Sequence, residues 1–236
     1  MEAHSTATRP VENVRALEGR ADRGPFFAGV GAIAFGLLTI VAVFVANAPG
    51  GNYSASSVTD YLAHGHRVAA IVVTQLALLG ILGLICLLEQ LRDTISIGPA
   101  SKRAGTIVWG TGLAAAAAFA IGWGVLGGQV IAHLEGGSPI VIPPAVTYLI
   151  SEIGVVFIFG CGAALLGLAL IVLMLNSRTT LPTWLRRLTL FAGLCGIAGL
   201  AYFTFFVLMI WGIVVGTWYL ATRHHPQQAT ASPSTT

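Results

Sequence analysis

Charged residues are scarce in this sequence, and their scarcity excludes an ordinary water-soluble fold. Of the 236 residues, 9% are charged and 56% are hydrophobic, whereas a soluble domain carries about 25% charged residues. The charges that are present fall in short clusters between long apolar runs. A bilayer imposes this pattern, because an ionised side chain near its centre costs roughly 2.5–3.5 kcal/mol. The sequence therefore predicts an all-α integral membrane protein, a polytopic helical bundle.

Cysteine and catalytic motifs are also nearly missing. The three cysteines, Cys86, Cys161 and Cys195, all fall inside apolar runs, and the sequence has no CxxC motif. This excludes a disulfide framework and predicts unbridged packing residues. No HExxH motif, phosphate-binding loop, carboxylate pair or recognisable Ser-His-Asp set is present. We therefore expect no cofactor, and an outer-face membrane enzyme is a less favoured alternative.

Long apolar runs are what the sequence has instead. A helix needs about 20 apolar residues to cross a hydrocarbon core of about 30 Å. The last run, Leu188–Thr222, would make a helix of roughly 52 Å, so we divide it near Tyr202–Phe206. The chain is thus predicted to have six spans, with five as the alternative. The runs are Phe26–Ala48, Val68–Leu88, Ala104–Leu134, Ala145–Leu175 and Leu188–Thr222.

Polar segments flank this apolar region. Residues 1–24 contain Pro10 and four arginines and lack the cleavage site of a signal peptide, so the first run is predicted to be a retained span. Residues 223–236 are rich in Pro, Gln, Ser and Thr, a composition typical of disorder. We expect a polar N-terminal segment over 1–24, a transmembrane domain over 25–222, and a disordered tail over 223–236.

Basic residues are distributed unevenly between the two sides of the predicted bundle. Arg67 stands alone on one side, and the positive-inside rule places the other side in the cytoplasm of a cell membrane, together with both termini. With five spans Arg223 would change sides, so charge does not decide the span count. The net charge of +3 reflects this topology and indicates no nucleic-acid partner. The eleven basic residues of the cytoplasmic side are Arg9, Arg15, Arg20, Arg23, Arg92, Lys102, Arg103, Arg178, Arg186, Arg187 and Arg223.

Five polar side chains fall in the outer half of the predicted spans, where polar groups mark function or packing. They are Gln75, Gln129, His133, Tyr148 and Glu152. One interpretation is a pocket that is open to the outside and binds a small molecule, a lipid or a proton. Another is interhelical hydrogen bonding that holds the bundle together, worth about 0.6 kcal/mol per contact. A third is that the predicted span boundaries are misplaced.

Histidines on the outer side are the candidates for a metal site. His64 and His66 form a His-x-His pair, and His133 belongs to the same side. Such a set can hold a transition metal, but two rings at i, i+2 on a helix point apart, so no metal site is predicted. The nearby stretch Ser57-Val58-Thr59-Asp60 fits a capping box. It predicts a short helix that continues through Ala63 and either lies at the outer interface or covers the pocket mouth.

Glycine-rich helix faces favour close packing. Gly124-x-x-x-Gly128 and Gly212-x-x-x-Gly216 are small-xxx-small patterns on which two helices approach closely. Such faces are common within any membrane bundle. Self-association of the chain through them is a further expectation.

Three stretches carry a resemblance to a known group. They are Asp60-Tyr61-Leu62-Ala63-His64-Gly65-His66-Arg67, which leads to Leu88-Glu89-Gln90-Leu91-Arg92, then Leu181-Pro182-Thr183-Trp184-Leu185-Arg186-Arg187, and Trp211-Gly212-Ile213-Val214-Val215-Gly216-Thr217-Trp218. Together they resemble small bacterial multi-pass membrane proteins of a domain-of-unknown-function group. The resemblance implies six helices and a Pro-Trp interfacial turn before span five, and it supplies no active site.

The function favoured by these patterns is non-enzymatic. A multi-pass protein that binds a small molecule or lipid within the bilayer, or that assists a membrane complex, fits the sequence best. A small proton-coupled transporter that uses Glu152 is the first alternative, and the inner half lacks the polar residues of a continuous path. The outer-face enzyme is the second.

The charge distribution predicts the result of a topology experiment. Reporters fused after Ala100, Ser177 and Thr236 should lie in the cytoplasm, because basic loops are retained there. Reporters inserted at 50–53 and 136–139 should lie outside. A scanning reporter assay measures this directly. An external reporter after Thr236, with the others as stated, would give five spans.

Overall fold

The part of the chain that the structure describes is helical throughout and contains no strand. The computed structural model describes residues 23–46, 53–61, 64–95, 99–135, 143–177, 181–201 and 203–222. Nearly all of the predicted N-terminal segment and the whole of the predicted tail lie outside these residues. The prediction of an all-α bundle is confirmed.

Among the residues that the structure describes, five helical segments are long and apolar enough to cross a membrane. One of them, Pro144–Asn176, is a continuous helix whose middle part, Val156–Gly162, is π-helical, with wider backbone hydrogen bonding than an α-helix. The helices are α1 (Arg23–Ala46), α2 (Ala55–Tyr61), α3 (His64–Ile95), α4 (Pro99–Glu135), α5 (Pro144–Val155), π1 (Val156–Gly162), α6 (Ala163–Asn176), α7 (Thr183–Ile197) and α8 (Phe205–Thr222). The five that qualify as spans lie within α1, α3, α4, α5–π1–α6 and α8.

The last apolar run is divided close to the predicted position. Helix α7 ends at Ile197, a short 3-10 turn covers Gly199–Ala201, and α8 begins at Phe205. The indole nitrogen of Trp211 donates a hydrogen bond of 3.0 Å to the hydroxyl of Thr189, so α8 returns antiparallel beside α7. Helix α7 has 15 residues and is about 22 Å long. It is the short member of this hairpin and is not among the five spans.

Six helical rods form a closed ring around an apolar centre. Helix α1 packs between α3 and α8, α4 packs between α3 and the continuous helix α5–π1–α6, and α7 closes the ring between α6 and α8. Four phenylalanines from different rods meet in the middle. Phe119 lies 6.0 Å from Phe35 and 6.1 Å from Phe205, and Phe205 lies 4.6 Å from Phe159, measured between ring centroids. The contacts of Phe205 with Phe119 and Phe159 are edge-to-face, a geometry that adds to the packing energy.

Glycines allow the helix backbones to touch. A Cβ added to Gly31 in α1 would lie 2.6 Å from the carbonyl oxygen of Gly83 in α3, and one added to Gly216 in α8 would lie 2.5 Å from the carbonyl oxygen of Gly29. The predicted Gly212-x-x-x-Gly216 face is therefore used inside the chain, against α1. A Cβ added to Gly124 or to Gly128 would have no atom of another helix within 4 Å. Their face lies on the outer surface of α4.

Two glycines on α4 provide a matched test of this packing. Gly122→Ala should lower stability, because its Cβ would lie 2.7 Å from the carbonyl oxygen of Gly154 and overpacking costs about 1–3 kcal/mol. Gly124→Ala should be neutral or stabilising, since the site is open and alanine favours a helix by about 1 kcal/mol. Thermal unfolding in detergent measures both variants. Equal effects would show that α4 and α5 are not in close contact.

Candidate functional site

The structure describes the side chains of four of the five predicted polar residues, Gln75, Gln129, Tyr148 and Glu152. Gln129 in α4 is 8% exposed, and it bonds Ser151 in α5, which is fully buried. The amide nitrogen of Gln129 donates to the Ser151 hydroxyl over 2.9 Å, and that hydroxyl lies 3.3 Å from the amide oxygen. The pair joins two helices, and each partner satisfies the other. Ser151 was missed at the sequence level because a lone serine in an apolar run carries no pattern.

Gln75 lies apart from this pair. It is exposed on α3, while its chain neighbour Thr74 is buried and packs on Gly127 of α4. Successive helix residues point about 100° apart, so a side chain one position along faces a different neighbour. The hydroxyl of Thr74 donates to the carbonyl oxygen of Ala70 over 2.8 Å. The structure thus has Thr74 at the contact with α4, and Gln75 is exposed next to it.

Tyr148 lies under the short helix α2. Its ring is half-buried and makes an edge-to-face contact with Tyr53, with the centroids 5.3 Å apart. Helix α2 packs on α5 and buries Val58, so it covers this end of α5. The predicted cap is corrected: the helix starts at Ala55, where the Ser54 hydroxyl accepts from the backbone N–H of Ser57 over 3.4 Å. Ser54 therefore takes the capping role assigned to Ser57.

Glu152 follows Ser151 on α5 and is half-buried. It lies one helical turn after Tyr148, as its spacing requires. The side chains of His64, His66 and His133 lie outside the part of the chain that the structure describes. Among the side chains that are described, no group of three or more His, Cys, Asp or Glu residues is placed to hold a metal ion. The sharing of a site between Glu152 and His133 stays a prediction.

Other buried hydroxyl groups lie at positions that no sequence pattern marked. Thr189 is 1% exposed, donates to the carbonyl oxygen of Leu185 over 2.8 Å and accepts from Trp211. Thr39 in α1 is 2% exposed and its hydroxyl has no hydrogen-bond partner. The cysteines are unbridged, with Cys86 and Cys161 exposed on the bundle surface and Cys195 half-buried. Two of the buried polar contacts, Gln129–Ser151 and Trp211–Thr189, join neighbouring helices.

Among the residues that the structure describes, a groove between α3 and α4 forms a cavity. Its volume is about 360 Å³, within the usual range of ligand sites, about 300–1,000 Å³. All of its lining residues are apolar. They are Leu78, Ile81, Leu82, Ile85, Leu113, Ala116, Ala117 and Ala120.

Two contacts of α3 with α4 bound this groove. At one end Thr74 packs on Gly127, and at the other Leu88 packs on Gly112, with 2.7 Å between a Cβ added to Gly112 and the Leu88 side chain. Between these points α4 presents three alanines, whose side chains are too short to fill the space. The groove is therefore built into the packing of the two helices, and it lies along the outside of the bundle.

These features define the class of protein, a multi-pass helical membrane protein. No protein-family model, curated protein or solved structure matches the chain. The resemblance of its loop motifs to a domain-of-unknown-function group stays an expectation.

The pair Gln129–Ser151 should behave as a structural contact. In a double-mutant cycle of Gln129→Leu and Ser151→Ala, we expect a coupling energy of about 0.6 kcal/mol and at most about 1.7 kcal/mol. Unfolding in detergent or bicelles measures it, with Gln75→Leu as an exposed control that should be neutral. A coupling energy of zero would mean that the two side chains do not bond each other.

Proposed function

We propose that this chain is a non-enzymatic protein of the cell membrane that binds a lipid, or another small apolar molecule, between α3 and α4. The observation that supports the proposal is the groove described above. It is apolar throughout, it is open at the side of the bundle, and it lies midway along two spans. A molecule already dissolved in the bilayer enters such a site without crossing water.

The chemistry of the groove favours an acyl chain over a polar solute. A polar solute would lose its water contacts there and gain no hydrogen bond from the apolar lining, at a cost of about 2–7 kcal/mol. An acyl chain has no polar groups and therefore does not have this desolvation cost. Since lipid tails are as apolar as leucine, the preference for the groove comes from close packing of the chain against fixed side chains.

The orientation of the protein belongs to the same proposal. Both termini lie in the cytoplasm, which is the side that holds eleven of the twelve basic residues, and the protein resides in the cell membrane. The polar pair Gln129–Ser151 and the nearby Tyr148 and Glu152 then lie in the outer half. Their role is to hold α4 and α5 together under the cover of α2.

A proton-coupled transporter is the alternative, since Glu152 lies within a span, half-buried beside the Gln129–Ser151 pair. A carboxyl group inside a membrane is a functional candidate by default. Proton flux in proteoliposomes, compared between the wild type and Glu152→Gln, separates transport from lipid binding.

Filling the groove should remove binding. Ala117 lines the groove and is exposed, so Ala117→Phe should fold and should weaken lipid binding by roughly tenfold, equivalent to about 1.4 kcal/mol. Ala114 is also exposed on α4 but does not line the groove, which makes Ala114→Phe the matched control. Native mass spectrometry of delipidated protein titrated with phosphatidylcholine measures the affinity. Equal affinity of the two variants would contradict the proposal.

A further inference from the structure

We infer that the occupant of the groove is an anionic glycerophospholipid, with one acyl chain between α3 and α4 and its phosphate at Arg92 and Lys102. The inference rests on the proposed function and adds the chemical class of the lipid and the leaflet from which it comes. Three observations carry it: the row of side chains on each helix, the depth of the groove, and the charge at one end.

The lining residues of α3 continue as a row toward the basic end. Leu78, Leu82 and Ile85 are spaced by four and three residues, and the same alternation leads to Glu89 and then to Arg92. Residues at these spacings share one face of a helix. Glu89 and Arg92 are both exposed. The face of α3 that lines the groove thus ends at a guanidinium group.

The lining residues of α4 form a second row. Ala120, Ala116 and Leu113 line the groove. Toward the N-terminus of α4 the row continues through Trp109 and Thr106 to Lys102, again at steps of three and four residues. Lys102 is exposed, as is Arg103. Arg103 falls about 100° away around the helix, off the row. Trp109, half-buried on the row, is the aromatic residue expected at headgroup level.

The depth of the groove matches one leaflet. Leu82 stands at the middle of the span Val68–Ile95. Arg92 is ten residues further along α3, about 15 Å, which is half of a hydrocarbon core of about 30 Å. A lipid whose phosphate is level with Arg92 therefore reaches the groove with the distal part of its acyl chain.

The charge at this end selects an anionic headgroup. This end of the two helices carries the basic residues Arg92, Lys102 and Arg103 and the acidic residues Glu89 and Asp93, all of them exposed. The positive charges at this end outnumber the negative ones. Glu89 lies nearer to the groove than Arg92 does, at the depth of the acyl chains. A phosphate between Arg92 and Lys102 stays beyond Glu89. Each nearby basic side chain contributes about 1 kcal/mol of attraction to an anionic lipid.

Two single-residue variants test the headgroup site. Lys102→Gln should weaken binding of phosphatidylglycerol about fivefold, and Arg103→Gln, with the same change of charge in the adjacent residue, should weaken it much less. The protein is the full chain, delipidated in detergent, and native mass spectrometry with phosphatidylglycerol and with phosphatidylcholine measures each affinity. Wild type should prefer phosphatidylglycerol, and Lys102→Gln should lose most of that preference.

The outcomes separate this inference from the proposed function. Equal binding of the two lipids, with both weakened by Ala117→Phe, would overturn the anionic headgroup and keep the lipid groove. Equal losses in Lys102→Gln and Arg103→Gln would overturn the site at Lys102 in favour of general surface attraction. Lipid binding that Ala117→Phe leaves unchanged would overturn both. Dimers that Ala117→Phe abolishes, without specific lipid binding, would place a second copy in the groove and overturn both as well.

Discussion

Close contact between helix backbones is the constraint on which this bundle depends. Inside a bilayer two apolar helices gain nothing by leaving lipid for each other, so association comes from packing and from a few hydrogen bonds. The contacts Gly31–Gly83, Gly29–Gly216 and Gly122–Gly154 bring the main chains together. The phenylalanines that fill the centre are in contact because these crossings bring their helices close. Where the small residues are alanines with no partner, as on α4, a groove is left.

Two kinds of polar residue follow from this packing. Those at the crossings, such as Ser151 and Thr189, are buried and bonded across helices. Those one position away, such as Gln75, face outward. A shift of one residue decides between the two because a helix turns about 100° at each step. The polar content of a span is therefore a weak guide to a site unless the rotation of the helix is known.

The sequence was sufficient for the class, the helix positions and the break in the last apolar run, because bilayer thickness limits the length of each run. The sequence was not sufficient to predict which side chains contact each other. Gln129 was recognised and Ser151 was not, because the depth of a residue in the membrane can be estimated from a span boundary, whereas the direction in which its side chain points cannot. The cap at Ser54 was missed because Ser57 is followed three residues later by the acidic Asp60 of a capping box, whereas Ser54 is followed at that spacing by Ser57. The groove depends on the register of α3 against α4, which neither helix specifies alone.

The π-helical segment Val156–Gly162 has a consequence for chain length. Each residue of a π-helix turns the chain through a smaller angle than a residue of an α-helix does. The chain therefore accommodates additional residues between Gly154 and Gly162, while both glycines still face α4, at Gly122 and Phe119. Within this segment, a change in the number of residues does not have to rotate the helix faces on either side of it. A one-residue deletion in this segment can be absorbed by reversion to regular α-helix, whereas the same deletion elsewhere in the span would rotate every later side chain to a new neighbour. A one-residue deletion in this helix is therefore best tolerated at its centre.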